Sequence, residues 1–447
     1  MTRLNDLLGW FIVAVVLLSP IPLGSNPPIF WAISGTLVGA VALIYFGRVL
    51  SSGQPLRFPI KRIWPVAILF ACLCAFLIVQ ILPLGYLFAP FKFMSLRGLN
   101  FETQMLSLAP GSTWMMLIRM LSYGLFFMLA AQVSANEGRA DRLVKMIFWA
   151  TVAHAAFGLI QLTQLGDTLL GADKKYYMGF ATGTFVNRNS YATFMAMGMA
   201  IGTGLLAQVL IQISMGTRRL SDELLNLVAT VGGIFVLLLA ISASQSRMGL
   251  LSAAVAVGVV MLLAIRWIKW RSLLLSVSIA VGVIIVFLVA LLVFGPDLLQ
   301  RVIMTEATGG GRSYIYEQTW SMILTRPWTG FGGGSFELAF PLFEGPPLSP
   351  DFLVDKAHST YLTLWSELGF VAGSLPMAIV VILFGGVVLR YFRLELGSGV
   401  KLAAIGAVIA GATHSTIDFS LEMQANTYLF VALLGIGQSV GLRRASH

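Results

Sequence analysis

A chain of 447 residues that is 57% hydrophobic and only 11% charged is not a soluble globular protein, in which roughly 25% of residues are charged. Its net charge of +10 would suit nucleic acid, but the basic residues fall on alternate loops, which is a membrane-topology signal instead. Apolar runs long enough to cross a bilayer recur from end to end. The expected fold is therefore an all-α polytopic bundle of about 12 transmembrane helices, one integral-membrane domain over 1–447.

In chain order the spans are expected near 7–23, 28–47, 63–83, 113–133, 144–165, 190–213, 225–243, 249–265, 272–294, 370–389, 402–417 and 427–441. The first ends in Pro20-Ile21-Pro22-Leu23-Gly24 without an Ala-x-Ala-like cleavage site, so it reads as a retained span rather than a signal peptide. The third holds both cysteines, Cys72 and Cys74. At i,i+2 they do not face each other on a helix, and they read as small apolar core residues, with no disulfide framework or zinc spacing. The fifth contains His154 between two alanines, read as a hydrogen-bonded packing residue.

Arg3, Arg48, Arg57, Lys61, Arg62, Arg139, Arg142, Lys145, Arg218, Arg219, Arg266, Lys269, Arg271, Arg390, Arg393, Lys401, Arg443 and Arg444 lie on one set of alternating loops. The positive-inside rule puts those loops and both termini in the cytoplasm, and the charge also favours anionic lipid.

The outer loops carry the remaining information. Residues 84–112 mix Phe88, Phe91, Phe93 and Leu96 with Lys92 and Arg97, which suits a segment lying in the membrane interface. The loop 166–189 carries Lys174 and Lys175, read as solvated charges, then Tyr176 and Tyr177. The long loop 295–357 exceeds the usual size of a connection without function. Within it, Ile315, Tyr316, Thr319, Trp320 and Ile323 share one face of an expected helix over 312–324. The turn Arg326-Pro-Trp-Thr-Gly-Phe-Gly-Gly-Gly334 permits unusual backbone angles or close approach of a ligand.

Three arginines stand at expected helix starts on this outer side: Arg188, Arg247 and Arg312. A helix start already carries partial positive charge, so a cation there calls for a shared anion. Guanidinium supplies planar, bidentate donors for a diphosphate. The alternative is that each arginine snorkels to lipid phosphates at the interface. His358 heads another helix, where a neutral imidazole serves as a base or merely caps the helix. Asp355 is its nearest carboxylate in sequence, while Glu367, nine residues on, is out of phase on a straight helix. His414 and Asp418, spaced i,i+4, are expected on one helix face, as a functional pair or as an internal salt bridge or hydrogen bond. Asn187 and Asn189 flank Arg188. The sequence contains no Asp-x-Asp and no His-Glu-x-x-His, which disfavours a metal-dependent transferase. It also contains no cytoplasmic nucleotide motif, which points to a pre-activated donor and no cofactor.

Together, Gly183-Thr-Phe-Val-Asn-Arg-Asn-Ser-Tyr-Ala192, Ser244-Gln-Ser-Arg247, Arg326 to Gly334 and Ala357-His-Ser-Thr-Tyr-Leu-Thr-Leu-Trp-Ser-Glu-Leu-Gly369 resemble the O-antigen ligase and O-antigen polymerase (Wzy-type) family of bacterial inner-membrane proteins. The resemblance spans residues 180–420. Pro20 to Asn26 and His414 to Leu421 look like a branch found in exopolysaccharide gene sets. The resemblance implies metal-independent transfer of a glycan from an undecaprenyl-diphosphate carrier to a saccharide hydroxyl, with inversion, at the periplasmic face. The acceptor would be lipid A core or a growing polysaccharide, and the partners are these glycans and the bilayer, not nucleic acid. Arg188 and Arg247 match the diphosphate-binding arginines, and His358 matches the essential histidine. Arg312, on a loop helix, reads as a third, gated contact, with Asn187, Asn189, Asp355, His414 and Asp418 as supporting residues. Ser359 and Gly369 fit the ligase pattern, but Ala372 stands where ligases carry Gly, Thr or Tyr, which leaves ligase and polymerase both open. The competing class is a transporter or flippase of lipid-linked saccharides, and a third is a structural membrane subunit. Repeated halves and midplane binding sites, frequent in transporters, are not evident in this sequence.

Overall fold

A computed structural model of the chain describes residues 2–95, 98–268, 311–348, 353–393 and 398–440. The described chain is an all-helical bundle with two small hairpins. Among the described residues, eight helices are long and apolar enough to cross a membrane: Pro28–Ser51, Ile60–Ile81, Pro110–Ser134, Glu137–Thr163, Arg188–Ser214, Leu220–Ser244, Arg247–Ile265 and Thr360–Phe392. Helix α1 (Thr2–Leu18) precedes them, with 17 residues. The remaining helices are α2 (Pro28–Ser51), α3 (Trp64–Ile81), α4 (Pro110–Ser134), α5 (Glu137–Thr163), α6 (Arg188–Ser214), α7 (Leu220–Ser244), α8 (Arg247–Ile265), α9 (Gly311–Thr325), α10 (Phe336–Ala339), α11 (Thr360–Phe392), α12 (Gly399–His414) and α13 (Gln424–Ser439). With 16 residues each, α12 and α13 are shorter than the usual spanning length. The expected span 272–294 lies outside the described residues.

Helix α6 is the axle of the bundle. Its most apolar stretch is 89% buried, against 17–50% for the other seven long helices, and it packs on α7, α8 and α12. Its run of Ala, Gly and Met lets neighbouring backbones approach closely, the packing mode of membrane bundles. By contrast α2 leaves Leu37, Leu43, Ile44 and Leu50 exposed, as a helix facing lipid would.

Several local expectations change. Residues 84–112 form not only an apolar surface segment but an antiparallel hairpin, β1 (Phe91–Met94) with β2 (Asn100–Thr103). Phe93 is buried there against Phe101 and Phe331, while Leu87 and Phe88 stay exposed. A second hairpin, β3 (Thr168–Leu169) with β4 (Ala172–Asp173), forms in the next outer loop. In α9 the buried face is Ile315, Thr319, Met322 and Ile323, whereas Trp320 is exposed. Tilting the helix toward Met322 explains the difference, because this face packs into the aromatic cluster of Phe331, Phe336 and Phe340. Cys74 is half-buried but Cys72 is exposed, so only one of the pair is a packing residue.

The glycine-rich turn after α9 approaches protein rather than an open cavity. Helix α11 breaks at Gly369, with φ 72° and ψ 173°, a region open essentially to glycine alone. The turn fills that break: Phe331 N–H donates to Ser366 O (3.0 Å), Gly332 N–H to Glu367 O (2.9 Å), and Phe370 N–H to Pro327 O (2.7 Å). Gln80 locks it from α3, donating to Thr329 O (2.8 Å) and Glu367 O (2.9 Å). Buried Glu367 accepts from Phe336 N–H at 3.2 Å. Its role is structural, consistent with its being out of phase with His358.

Candidate active site

The helix starts that carry arginines are built as expected, and local chemistry explains each. Asn187 caps α6, its side-chain oxygen accepting from Asn189 N–H at 2.7 Å. Arg188 is therefore the first residue of α6. Helix α7 ends at Ser244, Gln245 turns the chain in the left-handed region (φ 50°), and Ser246 caps α8 by accepting from Gly249 N–H at 3.2 Å. Arg247 is the first residue of α8. Side-chain oxygens at these caps satisfy backbone N–H groups that would otherwise lack partners.

Close packing then brings the two starts together. A Cβ on Gly249 would lie 2.5 Å from the Ala192 Cβ, so the first turns of α6 and α8 touch where glycine stands. Ser246 Oγ donates to Asn189 Oδ1 at 2.9 Å, linking the residue before Arg247 to the residue after Arg188. Both arginines are half-buried, whereas Arg312 is exposed. Arg312 Nη1 reaches Ile417 O at 3.4 Å, so α9 lies beside the loop between α12 and α13.

His358 stands two residues before α11, with φ 53°, an uncommon conformation for a residue with a Cβ. Its carbonyl accepts from the Tyr316 hydroxyl at 2.9 Å, and its ring lies 5.3 Å from that of Phe419. Its Nδ1 is buried and, among the described residues, makes no hydrogen bond. Burial, reinforced by the Arg312 charge, pushes the imidazole down to about 4. At neutral pH it is uncharged and able to accept a proton. Asp355 is exposed and acts on His358 through its charge, with no hydrogen bond between the two among the described residues.

The expected His414–Asp418 pair is corrected. Helix α12 ends at His414, so Asp418 lies in the following loop and the two do not share a helix face. No salt bridge joins them among the described residues. His414 Nδ1 instead meets the Thr193 hydroxyl on α6. Asp418 Oδ2 accepts from Asn189 Nδ2 at 3.1 Å, and its Oδ1 accepts from Ser420. The Asp418 carbonyl accepts from Thr360 at the start of α11. Burial pushes the Asp418 carboxyl up to about 6. Asp418 thus ties α6, α11 and the α12–α13 loop into one polar knot.

Lys174 also departs from expectation. It is buried and paired with Asp167, not solvated. No motif in the sequence marks Thr193 or Ser246 as a partner of the site, because Thr193 meets His414 and Ser246 meets Asn189 across 221 and 57 residues of chain. His154 does act as a packing residue, its Nε2 lying 2.8 Å from Leu17 O. Among the described residues no group of His, Cys, Asp and Glu could hold a metal ion.

The class this architecture defines is a multi-pass helical membrane protein, with its candidate arginine and histidine residues at helix ends. Residues 232–377 match the O-antigen ligase family model. The match supports a ligase- or polymerase-like function in general and suggests a glycosyl-transferring enzyme. The match contains Arg247, Arg312 and His358, while Arg188, Asn189, His414 and Asp418 lie outside it. No curated protein matches the chain.

Proposed function

We propose that this protein transfers a glycan from an undecaprenyl-diphosphate carrier to a saccharide hydroxyl at the periplasmic face of the bacterial inner membrane, by inversion and without a metal ion. The observation that carries the reading is that the arginine-bearing starts of α6 and α8 are linked, through Asn189 and Asp418, to Thr360 at the head of α11, two residues from His358. Arg188 and Arg247 begin α6 and α8, joined through Asn189 and Ser246, and the charge of Arg312 acts on His358.

In this reading His358 accepts the proton of the acceptor hydroxyl. The freed oxygen attacks the anomeric carbon, and the bond from that carbon to the diphosphate oxygen breaks with inversion. The diphosphate leaves with its electron pair, and Arg188, Arg247 and Arg312 stabilise the developing charge. Fixed donors aimed at such charge are commonly the largest contribution to catalysis, and a positioned base adds about 10²–10⁴-fold. Arg312, exposed on α9, is the contact that joins last. Asn187, Asn189 and Asp418 hold the arginines in register, Asp355 tunes His358, and His414 supports α6 through Thr193.

The acceptor is lipid A core for a ligase or a growing polysaccharide for a polymerase. Reconstitution with a lipid-diphosphate glycan tests the reading. His358→Ala and Arg247→Ala should abolish both glycan transfer and release of free undecaprenyl diphosphate while the protein still inserts. A flippase would move the intact lipid-linked glycan without releasing the carrier. In cells lacking the protein, short single-repeat glycans indicate a polymerase, and unattached full-length glycan indicates a ligase.

A further inference from the structure

The loop between α5 and α6 is clasped over the arginine site. Asp167 accepts from Lys174 Nζ and from Gly179 N–H (2.6 Å), and Lys174 Nζ also donates to Phe180 O (2.8 Å). Ala181 N–H donates to Ala243 O at 3.0 Å, fastening the end of the loop to α7. The clasp holds Tyr177 in the left-handed region, φ 58°, where residues with a Cβ are uncommon. Such outliers, held by their surroundings, cluster at ligand-binding sites. Its neighbours Tyr176 and Met178 are 68% and 69% exposed, but Tyr177 turns inward and is half-buried.

The phenol meets the site directly. Its ring lies 5.7 Å from the Arg188 guanidinium, which also stacks on Phe180 at 4.6 Å. Its oxygen accepts from Asn187 Nδ2 at 3.4 Å. The charges acting on it are Arg188, Asp418, Arg312 and Asp355. The two Asp418 oxygens are already engaged by Asn189 and Ser420, and the phenolic O–H donates to no acceptor among the described residues. A neutral O–H on a ring beside the Arg188 guanidinium and in the field of Arg312, with its oxygen accepting, suits an anionic oxygen.

We infer that Tyr177 is a further substrate contact, its O–H donating to a non-bridging oxygen of the lipid diphosphate between Arg188 and Arg312. The inference rests on the donor assigned under the proposed function. The ring covers Arg188 and excludes water from that pairing, while the clasp sets the reach of the hydroxyl.

Full-length protein in lipid nanodiscs provides the test, with a glycan-bearing undecaprenyl-diphosphate donor and with undecaprenyl diphosphate alone as a binding probe. Tyr177→Phe keeps the ring and loses one hydrogen bond to a charged group. It should raise the donor KM and weaken binding of the bare diphosphate about 10- to 100-fold, with kcat nearly unchanged, as expected for uniform binding. Tyr177→Asn tolerates the left-handed backbone, so it should fold at least as well and still lose donor affinity. Wild-type diphosphate binding by both variants overturns the inference, as does weakened binding of only the glycan-bearing donor. If His358→Ala and Arg188→Ala also transfer normally, the proposed function itself fails, which separates the two results.

Discussion

Asn189 Nδ2 donates to Asp418 Oδ2 across 3.1 Å, joining the first turn of α6 to a loop 229 residues further along the chain. The other end of the Asn189 amide accepts from Ser246. One side chain therefore connects the helix starts bearing Arg188 and Arg247 to the segment that anchors the head of α11, two residues from His358. The relative positions of the cations and the histidine depend on this amide.

Removing the carboxylate should expose that dependence. Asp418→Ala strands Asn189 Nδ2 and the Ser420 hydroxyl, and buried groups left unpaired cost about 1–3 kcal/mol. We expect a lowered thermal midpoint in detergent and at least a tenfold fall in transfer, with Asp418→Asn closer to wild type because an amide oxygen still accepts. Equal stability and turnover in Asp418→Ala would remove the knot from the account.

Packing at Gly249 makes a separate prediction. A side chain there meets Ala192 at 2.5 Å and forces α6 and α8 apart. Overpacking of this kind costs about 1–3 kcal/mol, and Gly249→Val should weaken donor binding more than it lowers folded yield. Measuring donor KM beside the size-exclusion profile decides it, and unchanged KM would show that the spacing of Arg188 and Arg247 is unimportant.

The pH dependence follows from His358. Protonation removes the base, so transfer fails as pH falls through its pKa, which burial and Arg312 push down to about 4. The dependence of kcat/KM on pH should therefore stay flat well below 6.5, the ordinary midpoint for histidine. Arg312→Ala removes a charge that lowers the pKa and should move the acidic limb upward, while Asp355→Asn removes a charge that raises it and should move the limb downward. Asp418 titrates at about 6, so the profile is compared in Asp418→Asn. A limb at 6.5 that ignores Arg312 would contradict the assignment.

Gly369 is expected to tolerate no replacement. Its φ of 72° and ψ of 173° suit glycine, and an added Cβ would meet the Trp328 carbonyl carbon at 2.5 Å. Gly369→Ala should lose about 1–3 kcal/mol from backbone strain alone, seen as reduced folded yield. Gly385→Ala, in the same helix with nothing within 4 Å of an added Cβ, should be tolerated, and a well-folded, active Gly369→Ala would show that the break is dispensable.

The helix starts were legible in the sequence because caps are local. Asn187 and Ser246 bond to backbone groups two and three residues away, and apolar period and length mark most of the long helices. The arginines and His358 could be selected because a charge or a titratable ring beside an apolar run is costly enough to stand out. The i,i+4 reading of His414 and Asp418 assumed a helix that in fact stops at His414. The solvated reading of Lys174 missed Asp167, seven residues away in a hairpin.

Sequence by itself determined that this chain is a helical membrane protein, and where the candidate site residues sit along it. Those properties depend on the cost of placing peptide groups and charges in hydrocarbon, which each segment faces alone. Tertiary structure decided which ends meet: Arg188 beside Arg247 through Gly249 and Ser246, Asp418 against Asn189, and Tyr177 turned in beneath its clasp. Those relationships arise from close packing and hydrogen-bond saturation between segments as many as 229 residues apart, where no local pattern in the chain records the partner.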